Sequence, residues 1–348
     1  MSTMSQRLQQ IWYGQRPPPW PLRGLARLYA LWLQLRPQTP VRAQALPLLV
    51  VGNLVAGGSG KTPLVLHLAR FLAQRGLRVA VIARVYQGSA RHVHVLDEHS
   101  TAAQVGDEPL VLFQLLNCPV VVSRKRRYAY DYIVDNFPDI ELIISDDGLQ
   151  HEHFKADIGI GVVAAGRGFG NARLLPAGPL REPLARLAKL DYLVIKSAQS
   201  SATDQHCALP GWAAPLPPYA VTMSIDLRQA TRLRDGCQQP LSAFAQQAVT
   251  AVAAIADPDS FFAGLRAQGL EVTGHGLPDH GKIPASLWRV LPADRPLLIT
   301  EKDAVKLPPE RISAAAPEIW SVRLHTSLPQ RFLDELYQHC KNLTCRAA

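Results

Sequence analysis

Residues 55–63 read VAGGSGKTP and follow the apolar run LPLLVVGNL. The small residues Gly57, Gly58, Ser59 and Gly60 let backbone N–H groups converge on phosphate oxygens. Lys61 then reaches the outer phosphates, the Thr62 hydroxyl binds magnesium, and a helix start adds its positive end. The pattern is G-x-x-x-x-G-K-[ST] with Val55 in place of the first glycine. A partition-type ATPase would carry a further lysine near the loop start, where Ala56 stands. A second chemical feature is ELIISDDGLQH at 141–151, a strand that ends in Asp146 and Asp147. Asp-Asp-Gly is also turn chemistry. A phosphate loop needs an acidic partner at the end of a neighbouring strand to hold or orient magnesium, so a metal role is expected. Which of the two aspartates meets the ion stays open.

The elements that must position these residues follow from periodicity. LPLLVVGNL reads as a buried parallel strand, LVLHLARFLAQRGL as a helix closed by Gly76, and VAVIA (79–83) as the next strand. This is a βαβ unit with its glycine loop at the carboxyl end of the first strand, where open α/β sheets bind ligands. Strands are also expected at IGIGVVA, DYLVIK and YAVTMSIDL. Residues 197–220 form a Ser-, Ala- and Pro-rich connection. A second α/β unit is expected from AVTAVAAIA onward, through the helix FFAGLRAQGL, EVTGHGL, PLLITEKDAVKL and WSVRLHTSL, to a closing amphipathic helix PQRFLDELYQHCKNL.

With 348 residues, two domains are expected. The formal charge of +9 suits an anionic partner: nucleic acid, an anionic membrane face or a phosphorylated substrate. Nucleic acid is disfavoured because the basic residues do not interleave with aromatics on a recognisable motif. Cys118, Cys207, Cys237, Cys340 and Cys345 are scattered and form no CxxC pair, which suggests a reducing compartment without a disulfide framework or zinc site. No signal peptide or spanning helix is expected. Residues 22–35, LRGLARLYALWLQL, place Arg23, Arg27, Ala30 and Gln34 on one narrow polar stripe of an otherwise apolar helix. Such a helix either packs as core or lies in a membrane interface, and its aromatic and arginine flanks favour the interface.

VGNLVAGGSGKTP, VGDEP (105–109), ISDDGLQH (144–151), RGFGNARLLPAGPLREP (167–183), LPDH (277–280) and TEKDAVKL (300–307) stand in an order that resembles the tetraacyldisaccharide 4'-kinases of lipid A biosynthesis. The resemblance spans nearly the whole chain. It implies a P-loop NTPase-type parallel-sheet lobe and a smaller α/β lobe joined by a β-ribbon, with the active site in the cleft between them. The corresponding division is 1–45 as a membrane-associated helical segment, 46–218 as the P-loop kinase lobe and 219–348 as linker and second lobe. The implied reaction moves the γ-phosphoryl of ATP, with Mg2+, to the 4'-hydroxyl of a tetraacyl disaccharide 1-phosphate. The implied location is the cytoplasmic face of the bacterial inner membrane. It further implies Asp107 as base, paired with His280; a carboxylate beside an imidazole suits a proton acceptor for a sugar hydroxyl. Glu108, Arg167, Arg173 and Arg181 are substrate candidates, since a guanidinium binds phosphate in a fork, and Tyr86 falls in a loop the family places at the active site.

This chain departs from the family pattern at Val85 and Gln87, where R-G-Y-G-G is usual, at Ala164, where an acid is usual, and at Gly281, where a second histidine is usual. If the family geometry needs positive φ at Val85, that residue is strained. Two rival readings remain. One is a GTPase of metallocentre assembly, with TEKD imitating a guanine-reading segment. The other is a nucleotide-gated membrane adaptor that binds ATP without turnover.

Overall fold

The protein is described by a computed structural model covering residues 4–14, 16–36, 44–57, 60–85, 92–149, 155–197, 209–212, 219–307, 312 and 317–347. Gly58, Ser59, Tyr86 and Gln87 lie outside the described residues, as does most of the 197–220 connection. In chain order the helices are α1 (Met4–Tyr13), α2 (Trp20–Leu35), α3 (Lys61–Gln74), α4 (Ala102–Val105), α5 (Asp107–Leu115), α6 (Arg126–Asn136), α7 (Pro258–Ala267), α8 (Ala285–Val290), α9 (Glu301–Ala304) and α10 (Gln330–Ala347). The strands are β1 (Leu48–Gly52), β2 (Val79–Arg84), β3 (His94–Val95), β4 (Val120–Ser123), β5 (Leu142–Asp146), β6 (Ile158–Ala164) and β7 (Tyr192–Ser197). They continue with β8 (Tyr219–Arg232), β9 (Gln238–Pro240), β10 (Ala248–Ala253), β11 (Glu271–Gly276), β12 (Leu297–Thr300) and β13 (Ile319–Ser327).

The chain forms two compact units. One comprises residues 1–84, 118–224 and 327–348; the other comprises 85–117 and 225–326. This differs from a linear division at 218/219. Residues 85–117 group with the second unit because α5 packs on α9, and the C-terminal helix groups with the first.

In the first unit, β1 lies between β5 and β6, β5 pairs with β2, β2 with β4, and β6 with β7, all in parallel. The first residues of β8 extend this sheet beside β7. β1 is buried along its whole length, as expected for a strand covered on both faces. α10 closes this unit. Phe332 is fully buried and meets Tyr192 edge-on at 5.4 Å, while Arg75 pairs with Asp334 at 2.7 Å.

In the second unit, β10 pairs in parallel with β11 and β12, and β12 with β13. Phe262, Leu265, Phe244 and Trp320 fill its core. Val85 is buried but is not among the residues with positive φ, so the strain expected there does not arise.

Replacing Phe332 by Ala should destabilise the protein by about 3–5 kcal/mol through transfer and cavity terms. Urea unfolding followed by circular dichroism should show the lower midpoint; an unchanged midpoint would mean that α10 does not close the first unit.

Candidate active site

β1 and β5 are adjacent and parallel, with Val51 opposite Asp146. The glycine loop and the acidic pair therefore leave the sheet together, at the carboxyl ends of these two strands. Gly60 sits at φ +90°, a conformation that a residue with a Cβ resists, and this turn starts α3 at Lys61. Lys61 Nζ lies 3.2 Å from Asn53 Oδ1 and 3.5 Å from Asp147 Oδ1. Thr62 Oγ1 donates to Asp146 Oδ2 at 3.4 Å. Asn53 is fully buried, and its Nδ2 donates to the Gly57 carbonyl at 3.2 Å, which braces the loop from below. Sequence reasoning missed Asn53; its signal was an amide directly after an apolar strand.

The two aspartates differ. Asp147 is held at φ +55°, an uncommon conformation for a non-glycine residue. Its carboxylate accepts from Arg181 at 3.3 and 3.4 Å. Burial works to raise its pKa, but Lys61, Arg181 and Arg126 outweigh burial and hold the carboxyl below its ordinary value. Arg126, 3% exposed, donates to the Asp146 carbonyl from Nε at 3.2 Å and Nη2 at 2.7 Å. Burial pushes its guanidinium down to about 10, against the pull of Asp147 and Asp146. Asp147 thus balances cations, while Asp146 sits beside the Thr62 hydroxyl. Thr62 and Asp146 supply hard oxygen donors, which fit magnesium; that ion typically takes one or two carboxylates plus waters and phosphates. Among the described residues no cluster of three or more His, Cys, Asp or Glu groups forms a metal cage.

The three candidate arginines separate. Arg181 joins the Lys61–Asp147 cluster. Arg167 lies over the Tyr13 ring at 5.7 Å. Arg173 is exposed. The segment carrying them also braces its surroundings: Ala56 N–H donates to the Pro179 carbonyl at 2.8 Å and Arg181 N–H to the Leu54 carbonyl at 2.7 Å.

A second cluster forms wholly within the other unit. Gly106, at φ +94°, turns the chain into α5 so that Asp107 occupies its first turn, where the helix N-terminus favours a carboxylate. Asp107 is 7% exposed, and both of its carboxylate oxygens lie 3.0 Å from His280 Nδ1. These residues are 173 positions apart. His280 follows β11, and its N–H donates to the Ala254 carbonyl just after β10 at 3.2 Å. It adopts φ +61°, in the left-handed region like Asp147. Lys302, absent from the sequence-based candidates, lies 3.1 Å from Asp279, 3.3 Å from His280 Nε2 and 3.4 Å from Glu108. Burial works against its charge, but Glu108, Asp107 and Asp279 outweigh burial and raise its pKa. The signal for Lys302 was its place in TEKD at a strand end.

The guanine-reading alternative for TEKD fails on Asp303. It is 1% exposed, pairs with Lys306 at 2.6 Å and accepts from Thr300 Oγ1 at 2.7 Å and the Ala254 N–H at 3.0 Å. No part of that carboxylate is left to read a base.

A parallel sheet with this phosphate loop and acidic partner belongs to the P-loop class of nucleotide-binding proteins. The family model for tetraacyldisaccharide-1-P 4'-kinase matches residues 19–341. The tetraacyldisaccharide 4'-kinase of Aeromonas salmonicida is 37% identical, over 97% of each chain. That of Alcanivorax borkumensis is 38% identical, over 97% of this chain and 98% of the relative. The chain therefore belongs to the tetraacyldisaccharide 4'-kinase family of lipid A biosynthesis. The crystal structure of LpxK from Aquifex aeolicus in complex with ATP has the same fold: TM-score 0.69, 24% identity, over 93% of this chain and 95% of that one.

Replacing Lys61 by Met removes a positive charge that favours the Asp147 carboxylate, so the Asp147 titration midpoint should move up. Carbon-detected NMR through a pH titration would read this, and an unmoved midpoint would refute the coupling. By the same linkage, Asp147 in the wild type contributes stability that is present above about pH 4 and lost as the pH falls through its lowered pKa.

Proposed function

We propose that this kinase transfers the γ-phosphoryl of ATP to the 4'-hydroxyl of a tetraacyl disaccharide 1-phosphate. The bond formed joins the sugar oxygen to the γ-phosphorus; the bond broken joins that phosphorus to the β–γ bridging oxygen, and ADP leaves. The hydroxyl proton passes to the Asp107 carboxylate, whose orientation the His280 imidazole maintains. The observation that carries this reading is the Asp107–His280 contact at 3.0 Å, assembled from two distant segments. Lys61 neutralises the outer phosphates, and Val55, Ala56, Gly57, Gly58, Ser59 and Gly60 cradle them. Thr62 and Asp146 would hold Mg2+, which when bound neutralises phosphate charge; Asp147 acts by placing Lys61 and Arg181. Glu108, Arg167, Arg173, Arg181 and Tyr86 are the candidates for contacting the lipid's sugar and phosphate. The ATP named with the Aquifex structure supports the choice of donor.

We further propose that α2 rests on the cytoplasmic face of the bacterial inner membrane. None of its residues is buried, and Trp20, Leu25, Leu28, Leu31, Trp32 and Leu35 are exposed. Arg36 caps this face over the Trp32 ring at 5.3 Å. An apolar face with flanking arginines suits an anionic bilayer surface. No helix among the described residues is long and apolar enough to cross a membrane.

Two experiments test these readings. With labelled ATP and a tetraacyl disaccharide monophosphate in detergent, wild type should transfer phosphate. Asp107→Ala should lose at least about 100-fold in rate while keeping ATP affinity; folded wild type that binds ATP but transfers nothing would favour the adaptor. Separately, the double variant Leu28→Glu, Trp32→Glu should cut flotation with anionic vesicles about tenfold or more, since each side chain is worth about 1.5–3 kcal/mol when buried. Undiminished flotation would remove α2 as the anchor.

A further inference from the structure

We propose that Lys302 is a positioning residue that selects the tautomer of His280, keeping the ring proton on Nδ1 and directed at Asp107. This rests on the reading of Asp107 as the base. The two ring nitrogens face opposite partners. Nδ1 lies 3.0 Å from each Asp107 oxygen, whereas Nε2 lies 3.3 Å from Lys302 Nζ. An ammonium has three donors and no acceptor, so the nitrogen facing it must offer its lone pair. The proton then resides on Nδ1 and is donated to the carboxylate. The opposite tautomer would set an N–H against the ammonium and a lone pair against the carboxylate, both repulsive.

Asp279 is the competitor. Its Oδ2 lies 3.6 Å from Nε2 and would accept a proton there. Its Oδ1, however, already accepts from Lys302 at 3.1 Å, so the shorter contact to Nε2 is the ammonium. Glu108 at 3.4 Å and Asp107 at 3.8 Å complete an acidic surround that keeps Lys302 protonated.

The supports on both sides are fixed by the same short motif. Thr300 Oγ1 and Asp303 bond reciprocally, with Thr300 Oγ1 donating to the carboxylate at 2.7 Å and accepting the Asp303 N–H at 3.1 Å. Asp303 also anchors Ala254, whose carbonyl accepts the His280 N–H. Lys306 donates to the Gly281 carbonyl at 2.9 Å, next to the histidine. TEKDAVK thus ties down the imidazole's backbone at two points and, through Lys302, its distal nitrogen.

The test uses the full chain with 15N-labelled histidine, at the pH of the kinase assay, with the His280 signal identified by its loss in His280→Gln. Long-range 1H–15N correlation distinguishes Nδ1–H, Nε2–H and imidazolium forms. Wild type should show Nδ1–H, Lys302→Met should lose that preference, and Lys302→Arg, still a pure donor, should retain it. In phosphate transfer, Lys302→Met should lower kcat about 10- to 100-fold with ATP affinity unchanged, and Lys302→Arg should recover most of the loss. Nε2–H or imidazolium in wild type, or an unaltered tautomer in folded Lys302→Met, would overturn the proposal. A wild type with the Nδ1–H form but no transfer would overturn the kinase reading and still support the tautomer assignment.

Discussion

Adjacent carboxylates in a largely buried turn repel one another, and the charge arrangement of the first unit answers that repulsion. Asp146 ends a strand whose residues are all buried, and Asp147 follows it in the turn, half-buried. Lys61 and Arg181 pair with the Asp147 carboxylate, while Arg126 holds the Asp146 carbonyl and adds its charge nearby. Each has a further duty: Lys61 starts α3, Arg181 ends the glycine-rich segment, and Arg126 opens α6. The acidic turn, the phosphate loop and the brace behind it therefore depend on one electrostatic balance. Removing any one cation leaves the half-buried Asp147 carboxylate with less compensation, which costs more than the loss of a fully exposed pair.

The second unit poses the inverse problem. A single ammonium, Lys302, stands among Asp107, Glu108 and Asp279. Three carboxylates around one cation favour the charge on Lys302, whereas the cations around Asp147 favour the charge on that carboxylate. The two clusters use the same residue types in opposite ratios, so the minority charge in each is the one its neighbours stabilise. Both clusters also contain a non-glycine residue in the left-handed region, Asp147 and His280. Such conformations persist only where surrounding bonds over-determine them, and here those bonds are the ones that aim the charged groups.

Strands with long apolar runs were legible from the sequence because burial on both faces leaves no polar residues in them; β1, β2, β5, β10 and β12 fall where their runs stand. The phosphate loop was legible because its geometry demands particular residue types in consecutive order. The stretch from α5 to α6 was not read as elements: DEPLVLFQL and VVVS are short apolar runs whose periodicity does not separate helix from strand, and the charged and aromatic residues of α6 follow no clean period. Asn53 was missed although its partners Gly57 and Lys61 lie only four and eight residues on, because a single amide after a strand does not announce its role. Arg126 and Lys302 escaped notice for a different reason. Their roles come from partners in other segments, at separations of 20 residues for Arg126 with Asp146 and 194 for Lys302 with Glu108. Local spacing carries no trace of such pairings. The grouping of residues 85–117 with 225–326 is invisible for the same reason.

The most distinctive stretches of this sequence need not be those that touch substrate. In TEKDAVKL, Asp303 and Lys306 spend their polar atoms on Ala254, Thr300, Gly281 and each other. In RGFGNARLLPAGPLREP, Asn171 Nδ2 donates to the Ala177 carbonyl at 2.9 Å and to the Ile11 carbonyl at 3.3 Å, and a Cβ at Gly178 would collide with Asn171 and the Arg173 carbonyl. Such positions accept few replacements, because a substitute must satisfy several backbone groups at fixed directions and also fit the space. A phosphate loop, by contrast, works mainly through its own backbone and tolerates Val55 where a glycine is usual. Each bracing segment is therefore constrained by the backbone groups it must satisfy.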